Sequence, residues 1–185
     1  MSWDREEIVS NIYRPIQVIT GDFQSDSDPD VVISSLGEGF IGIAYDYDGQ
    51  GGWTTEYVDD SVPHAVGLAS GDMDGDGNLD IVGTSWQRYP DGFIGWWEYD
   101  DNEEEWVLAD TIDDNLDLPL NVAVADIDGD NDLDVVATVY GDTLINNVRY
   151  GYMLNWYENT NGSGTSWTAT TIASFLRQLR SWLMT

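Results

Sequence analysis

One acidic pattern occurs three times in this chain, and each copy runs straight into a β-branched segment. The copies are GDFQSDSDPDVVIS (residues 21–34), GDMDGDGNLDIVGT (71–84) and ADIDGDNDLDVVAT (125–138). Their leading aspartates, Asp22, Asp72 and Asp126, lie 50 and 54 residues apart. Trp3, Trp53, Trp106 and Trp167 mark the same period. A repeat of that length means one supersecondary unit used in tandem. Such a unit buries its apolar surface only by stacking on its neighbours.

Each unit divides into four short strands. An apolar segment precedes the acidic loop (IQVIT, VGLAS, NVAVA), and a second follows it (DVVISS, DIVGTSW, DVVATVY). A third is aromatic (FIGIAYDYD, FIGWWEYD, YGYMLNWYEN), and a fourth opens at tryptophan (WTTEYV, WVLADTI, WTATTI). Val, Ile, Thr and aromatic residues in such runs, bounded by Gly, Asp and Asn, are strand signals. Nothing between Trp3 and Ala173 has a helical period. The expected fold is all-β: three four-stranded antiparallel blades of β-propeller type, about 13–57, 63–112 and 119–173, in one domain over 1–173.

The loops have the chemistry of a hard-cation site. Ca²⁺ takes six to eight oxygen ligands, and alternate side chains of a tight loop converge on one centre. In the second loop, positions one, three and five are Asp72, Asp74 and Asp76; the carbonyl of Asn78 and the carboxylate of Asp80 complete the set. The third loop offers Asp126, Asp128, Asp130, the carbonyl of Asp132, and Asp134. The first offers Asp22, Gln24, Asp26, the carbonyl of Asp28, and Asp30, with Ser25 and Ser27 in place of turn glycines. Two strong Ca²⁺ sites and one weaker are expected. Mg²⁺ suits a flexible all-protein cage poorly. An EF-hand would need Glu at position twelve and flanking helices. Position twelve is Gly83 in one loop and Ala137 in another, and the flanks are β-branched.

The D-x-D-G-D-G-x-x-D loop with its apolar strand resembles the FG-GAP repeat, also called VCBS or integrin-α-like, over about residues 3–173. That resemblance implies a calcium-binding propeller, an extracellular or cell-surface setting, and a non-enzymatic binding or adhesion scaffold for protein or glycan. It also leaves open a propeller domain of a polysaccharide lyase, and a fragment of a longer propeller protein. No leader is visible in MSWDREEIVS, which lacks a basic start and an apolar run.

Three blades do not close a ring of four to eight. The segment 3–12 is a surplus strand without a partner, and an open arc invites pairing with another copy. Two chains closing a six-bladed ring and a chain lacking further blades are both compatible with this. The tail 174–185, SFLRQLRSWLMT, breaks the repeat. Phe175, Leu176, Leu179, Trp182 and Leu183 share one helical face, so a short amphipathic C-terminal helix is expected there.

Charge narrows the partners. The chain carries 35 acidic residues against six arginines and no lysine, a formal net charge of −29. Nucleic acid and anionic membranes are repelled by such a surface. A high-salt habitat is a second account of the same acidity. With no cysteine there is no disulfide or thiolate chemistry. His64 is the only histidine, and no partner for a catalytic triad accompanies it. The cluster Trp86, Tyr89, Trp96, Trp97 and Tyr99 serves either blade packing or a stacking platform for sugar rings. Adjacent strand residues face opposite ways, so Trp96 and Trp97 belong to different faces.

Overall fold

The computed structural model describes residues 7–46, 52–140, 143–145 and 148–176. The β-branched runs pair as antiparallel strands in three successive sheets. The first contains β1 (Pro15–Gly21), β2 (Asp30–Ser35), β3 (Phe40–Tyr45) and β4 (Thr54–Asp59) in chain order. The second contains β5 (Ala65–Gly71), β6 (Asp80–Ser85), β7 (Gly92–Asp100) and β8 (Glu105–Leu116), again in chain order. The third is built from β9 (Pro119–Ala125), β10 (Asp134–Val139), β11 (Thr143–Ile145), β12 (Val148–Asn159) and β13 (Trp167–Leu176). There β10 pairs Met153–Tyr157 of the long β12, β11 pairs Val148–Tyr150, and β13 lines the opposite edge. The third sheet thus keeps the four-row plan, with its second row in two pieces.

Among the described residues there is no helix. The expected C-terminal helix is corrected at its start. Ser174–Leu176 extend β13, where Ser174 and Phe175 oppose Met153 and Tyr152. Residues 177–185 of that expectation lie outside the described residues. So do Trp3 and residues 4–6 of the expected surplus strand, and residues 7–12 form no strand. The segment 7–12 crosses the outer face of the first sheet, where Val9 and Ile12 border Ile33 and Phe40.

Period-two alternation drives the stacking. On the second sheet, Ile81 and Trp97 point into a core shared with the first sheet, beside Val32, Ile41 and Ile43. Val82 and Trp96 point the other way, into a core with Val122, Val135 and Tyr157 of the third. Both tryptophans are 1% exposed. Each indole N–H also finds an acceptor in the sheet it faces: Trp97 donates to Asp59 Oδ2 at 3.0 Å and Trp96 to the Gly164 carbonyl at 2.9 Å. The sugar platform is therefore excluded for these two residues, since buried rings cannot stack on a ligand.

Two further devices repeat, one between the sheets and one within each. Leu79 packs over Gly21 and Leu133 over Gly71; a methyl group on either glycine would come within 2.8 or 2.7 Å of the leucine. The chain also enters each first strand through a left-handed residue, Arg14, His64 or Leu118, with φ of 56°, 56° and 53°. Their carbonyls accept the N–H groups of Leu36, Trp86 and Tyr140 at 3.0–3.1 Å. His64 is thus an exposed turn residue whose contribution is its backbone.

Trp97→Ala removes a large buried ring and its hydrogen bond at the junction of the first two sheets. It is expected to cost about 3–5 kcal/mol in urea denaturation. Leu108→Ala, at a half-exposed position on β8, should stay within about 1 kcal/mol. Equal effects would show that the sheets do not pack through the β7 indole.

Candidate metal centre

The three acidic loops each connect the first strand of a sheet to its second. Their backbones are wound alike. Positions four and six are left-handed in all three: Gly75 and Gly77 (φ 82° and 95°), Gly129 and Asn131 (86° and 78°), Ser25 and Ser27 (56° and 77°). Glycine adopts that geometry freely, and asparagine tolerates it. Serine does so at a cost, which places about 1–2 kcal/mol of strain at each serine of the first loop.

The position-one carboxylate spans this winding. Asp72 accepts N–H groups from Gly75 at 2.8 Å and Gly77 at 3.0 Å. Asp126 accepts from Gly129 at 2.7 Å and Asn131 at 3.2 Å. Asp22 accepts from Asp26 and Ser27, both at 3.0 Å. Position five then receives the N–H of position seven: Asn78 to Asp76 at 2.7 Å, Asp132 to Asp130 at 3.0 Å, Asp28 to Asp26 at 2.9 Å.

This winding gathers carboxylates. Oxygens of Asp72, Asp74 and Asp76 lie within 4.8 Å of one another, and so do those of Asp126, Asp128 and Asp130. Three hard oxygen donors at that separation, with no nitrogen or sulfur, suit a calcium-like cation. At positions one, three and five the first loop offers only Asp22 and Asp26 as acids, with Gln24 at position three. Gln24 Oε1 is buried without a hydrogen-bond donor. An orphaned acceptor at position three is what a cation ligand looks like before the ion is added, so the amide oxygen fits the same group.

The position-nine aspartates stand apart from these clusters. Asp30, Asp80 and Asp134 are 0%, 3% and 1% exposed. Each begins a second strand and accepts the N–H of position two: from Phe23 at 2.9 Å, Met73 at 2.7 Å and Ile127 at 3.1 Å. Asp30 and Asp134 also accept a backbone N–H from the C-terminal end of the third strand, from Asp46 just past β3 and Asn159 at the end of β12. They strap the loop to the sheet.

Burial and crowding show in the proton affinities. Burial, reinforced by the charges of Asp74, Asp76 and Asp72, pushes Asp80 up to about 8, against the opposing bond from Met73. Asp74 is raised by burial and by Asp76 and Asp72. Asp30 is raised by burial, with Asp26 and Asp22 adding to it. Glu98 on β7 is raised as well, first by burial and then by Asp74 and Asp76. Sequence spacing missed Glu98 because it reaches the second loop from a different strand. Its only sequence signal is that Glu158 holds the same place in the third sheet, one residue after the residue paired with the start of the second strand.

The chain matches no family model and no curated protein. The loops themselves are therefore the ground for a functional assignment.

Two expectations follow from this geometry. Asp80 holds a proton in the folded chain up to about pH 8, whereas an unfolded aspartate releases it near 4. In EDTA its contribution to stability is therefore complete below pH about 4 and is lost as pH rises towards about 8. Asp80→Asn should flatten that slope in urea titrations across the range, and an unchanged slope would place the titration elsewhere. Separately, Ser27→Gly should stabilise the chain by about 0.5–1 kcal/mol by relieving the left-handed serine. A loss of stability on that substitution would contradict the strain.

Proposed function

We propose that the chain is a calcium-binding repeat protein of the FG-GAP/VCBS type. Its three sheets serve as successive propeller blades, and Ca²⁺ sits in the loop between the first and second strands of each. The observation carrying this reading is the pair of three-carboxylate clusters, held by the same backbone bonds in successive sheets. Asp72, Asp74 and Asp76 hold one ion, and Asp126, Asp128 and Asp130 hold another. The carbonyls of Asn78 and Asp132 supply further oxygens, and Asp80 and Asp134 supply the inner wall. The first loop, with Gln24 among Asp22, Asp26, Asp28 and Asp30, binds more weakly.

The ion's role here is structural. It neutralises carboxylates that otherwise repel one another at the rim of a buried sheet. The protein then acts as a rigid non-enzymatic scaffold that recognises a protein or glycan. Exposed carboxylates at the loop rims suit the sub-millimolar to millimolar calcium found outside cells.

Calorimetric titration with CaCl₂ is expected to show two tight sites and one weaker site. Asp72→Asn and Asp126→Asn should each delete one tight site. A ligand bound at a hundred times its dissociation constant adds about 2.7 kcal/mol to stability, so EDTA should lower the Tm by several degrees. A chain that takes up no calcium and melts alike in calcium and EDTA overturns the proposal. Cleavage of an acidic polysaccharide by the purified chain would overturn the scaffold role.

A further inference from the structure

The junctions between sheets share a hydrogen-bond clasp, and among the described residues its two halves stand unused on the outer sides of the first and third sheets. Four residues into each second strand stands a hydroxyl residue: Ser34, Thr84 or Thr138. Each accepts an N–H from the neighbouring first strand: Gln17 to Ser34 at 3.2 Å, Gly67 to Thr84 at 2.8 Å, Asn121 to Thr138 at 3.2 Å. The first two also donate across the junction. Ser34 Oγ donates to the Val66 carbonyl at 2.8 Å, and Thr84 Oγ1 to the Leu120 carbonyl at 3.1 Å. Among the described residues no acceptor meets the Thr138 hydroxyl.

The acceptors are placed by a register shift. Pairing of the first strand with the second slips between Ala65 and Leu68 in the second sheet, and at Leu120 in the third. The slip frees the Val66 and Leu120 carbonyls for the preceding sheet. The first sheet slips at the same place, between Pro15 and Gln17, which frees Ile16. Among the described residues no sheet packs against this side of it, and Ile16 is 53% exposed.

The apolar side of the junction repeats as well. Val82 and Trp96 are cross-strand partners on the face that packs against the third sheet. Val136 and Trp156 are the same pair one repeat later, on the face turned away from the second sheet. Trp96 donates its indole N–H to the sheet that follows, whereas Trp156 Nε1 is buried without an acceptor. Ala125 stands exposed where Gly21 and Gly71 receive the leucine of the next loop, and Pro29 of the first loop is exposed in the leucine's place.

We propose that the outer face of the third sheet docks the outer face of the first sheet of a second copy of this chain. Thr138 then donates to the partner's Ile16 carbonyl, and Val136 and Trp156 cover the β1 side of that sheet. The association is head to tail, each chain using two different faces. Residues 7–12 cross part of this face, beside Ile33 and Phe40, and the docking runs along β1 next to them. A cleft of about 450 Å³, lined by Ile8, Ile12, Val18 and Val31 among others, runs between that segment and β1. Val18 beside it is 54% exposed. The acidity of the chain opposes association, so moderate salt favours it.

The test is solution mass by sedimentation over a wide concentration range, in calcium and in EDTA. Self-association is expected. Ala123→Arg, at an exposed site opposite Val136, blocks one face; Val18→Arg blocks the other. Each variant alone should be monomeric, with a melting transition like that of the parent. Mixed in equal amounts they should form a heterodimer, since one intact pair of faces remains. Thr138→Val should weaken association about tenfold, and Thr138→Ser should restore it. A parent chain that is monomeric throughout overturns the proposal. So does an oligomer that survives Val18→Arg, because it would be joined by some other surface. Calcium uptake without association would sink the docking faces and leave the calcium proposal standing, and association without calcium uptake would do the reverse.

Discussion

A carboxylate buried at the head of every second strand organises each sheet. Asp30, Asp80 and Asp134 sit where the loop ends and the apolar ladder begins, almost out of reach of water. A buried charge in such a place is tolerable only if it is bonded or neutralised. Each of the three takes the N–H of position two, which folds the loop back over the strand it leaves. That short strap sets the loop's diameter and turns positions one, three and five towards one another. The gathering of acids is thus a consequence of satisfying one buried group. A cation at the centre would relieve both the crowding and the raised proton affinity of Asp80.

Stacking follows from a different rule. Every sheet has to bury two faces, because its second and third strands carry apolar residues at successive positions. Ile81 and Val82, or Trp97 and Trp96, cannot share a core, so the middle sheet is sandwiched. The polar clasp from Ser34 and Thr84 aligns neighbouring sheets where apolar packing alone has no direction. Among the described residues the first and third sheets each pack against one neighbouring sheet only. Their unused donors and acceptors, Thr138 Oγ1 and the Ile16 carbonyl among the described residues, repeat the chemistry of the filled junctions.

The loops and the junctions meet at one residue type. The leucine at position eight, Leu79 or Leu133, leaves its own loop to pack over the glycine ending the previous sheet's first strand. Stabilising a loop therefore also presses two sheets together. A calcium ion in the loop would act on the packing of the whole array through this contact. A cation held there would for that reason be structural.

Strands, loops and their repeat were legible in the sequence because they depend on neighbours a few residues apart. Period-two apolarity, turn glycines and alternating aspartates are local facts, and even Ser25 and Ser27 were recognisable as stand-ins for left-handed glycines. Which face each tryptophan serves was decided only by tertiary structure, since alternation separates Trp96 from Trp97 without saying what lies opposite either. The same holds for Asp80, whose place on the same alternating positions as the loop acids concealed its role as a buried strap, and for Glu98, which reaches the loop from another strand. Phe175 misled for a related reason. Its spacing suits a helical face, but β12 offers an unpaired edge, and the backbone bonds available there outweigh a local periodicity. Long-range pairing partners are not written in any one segment, and they decide wherever two local patterns fit the same residues.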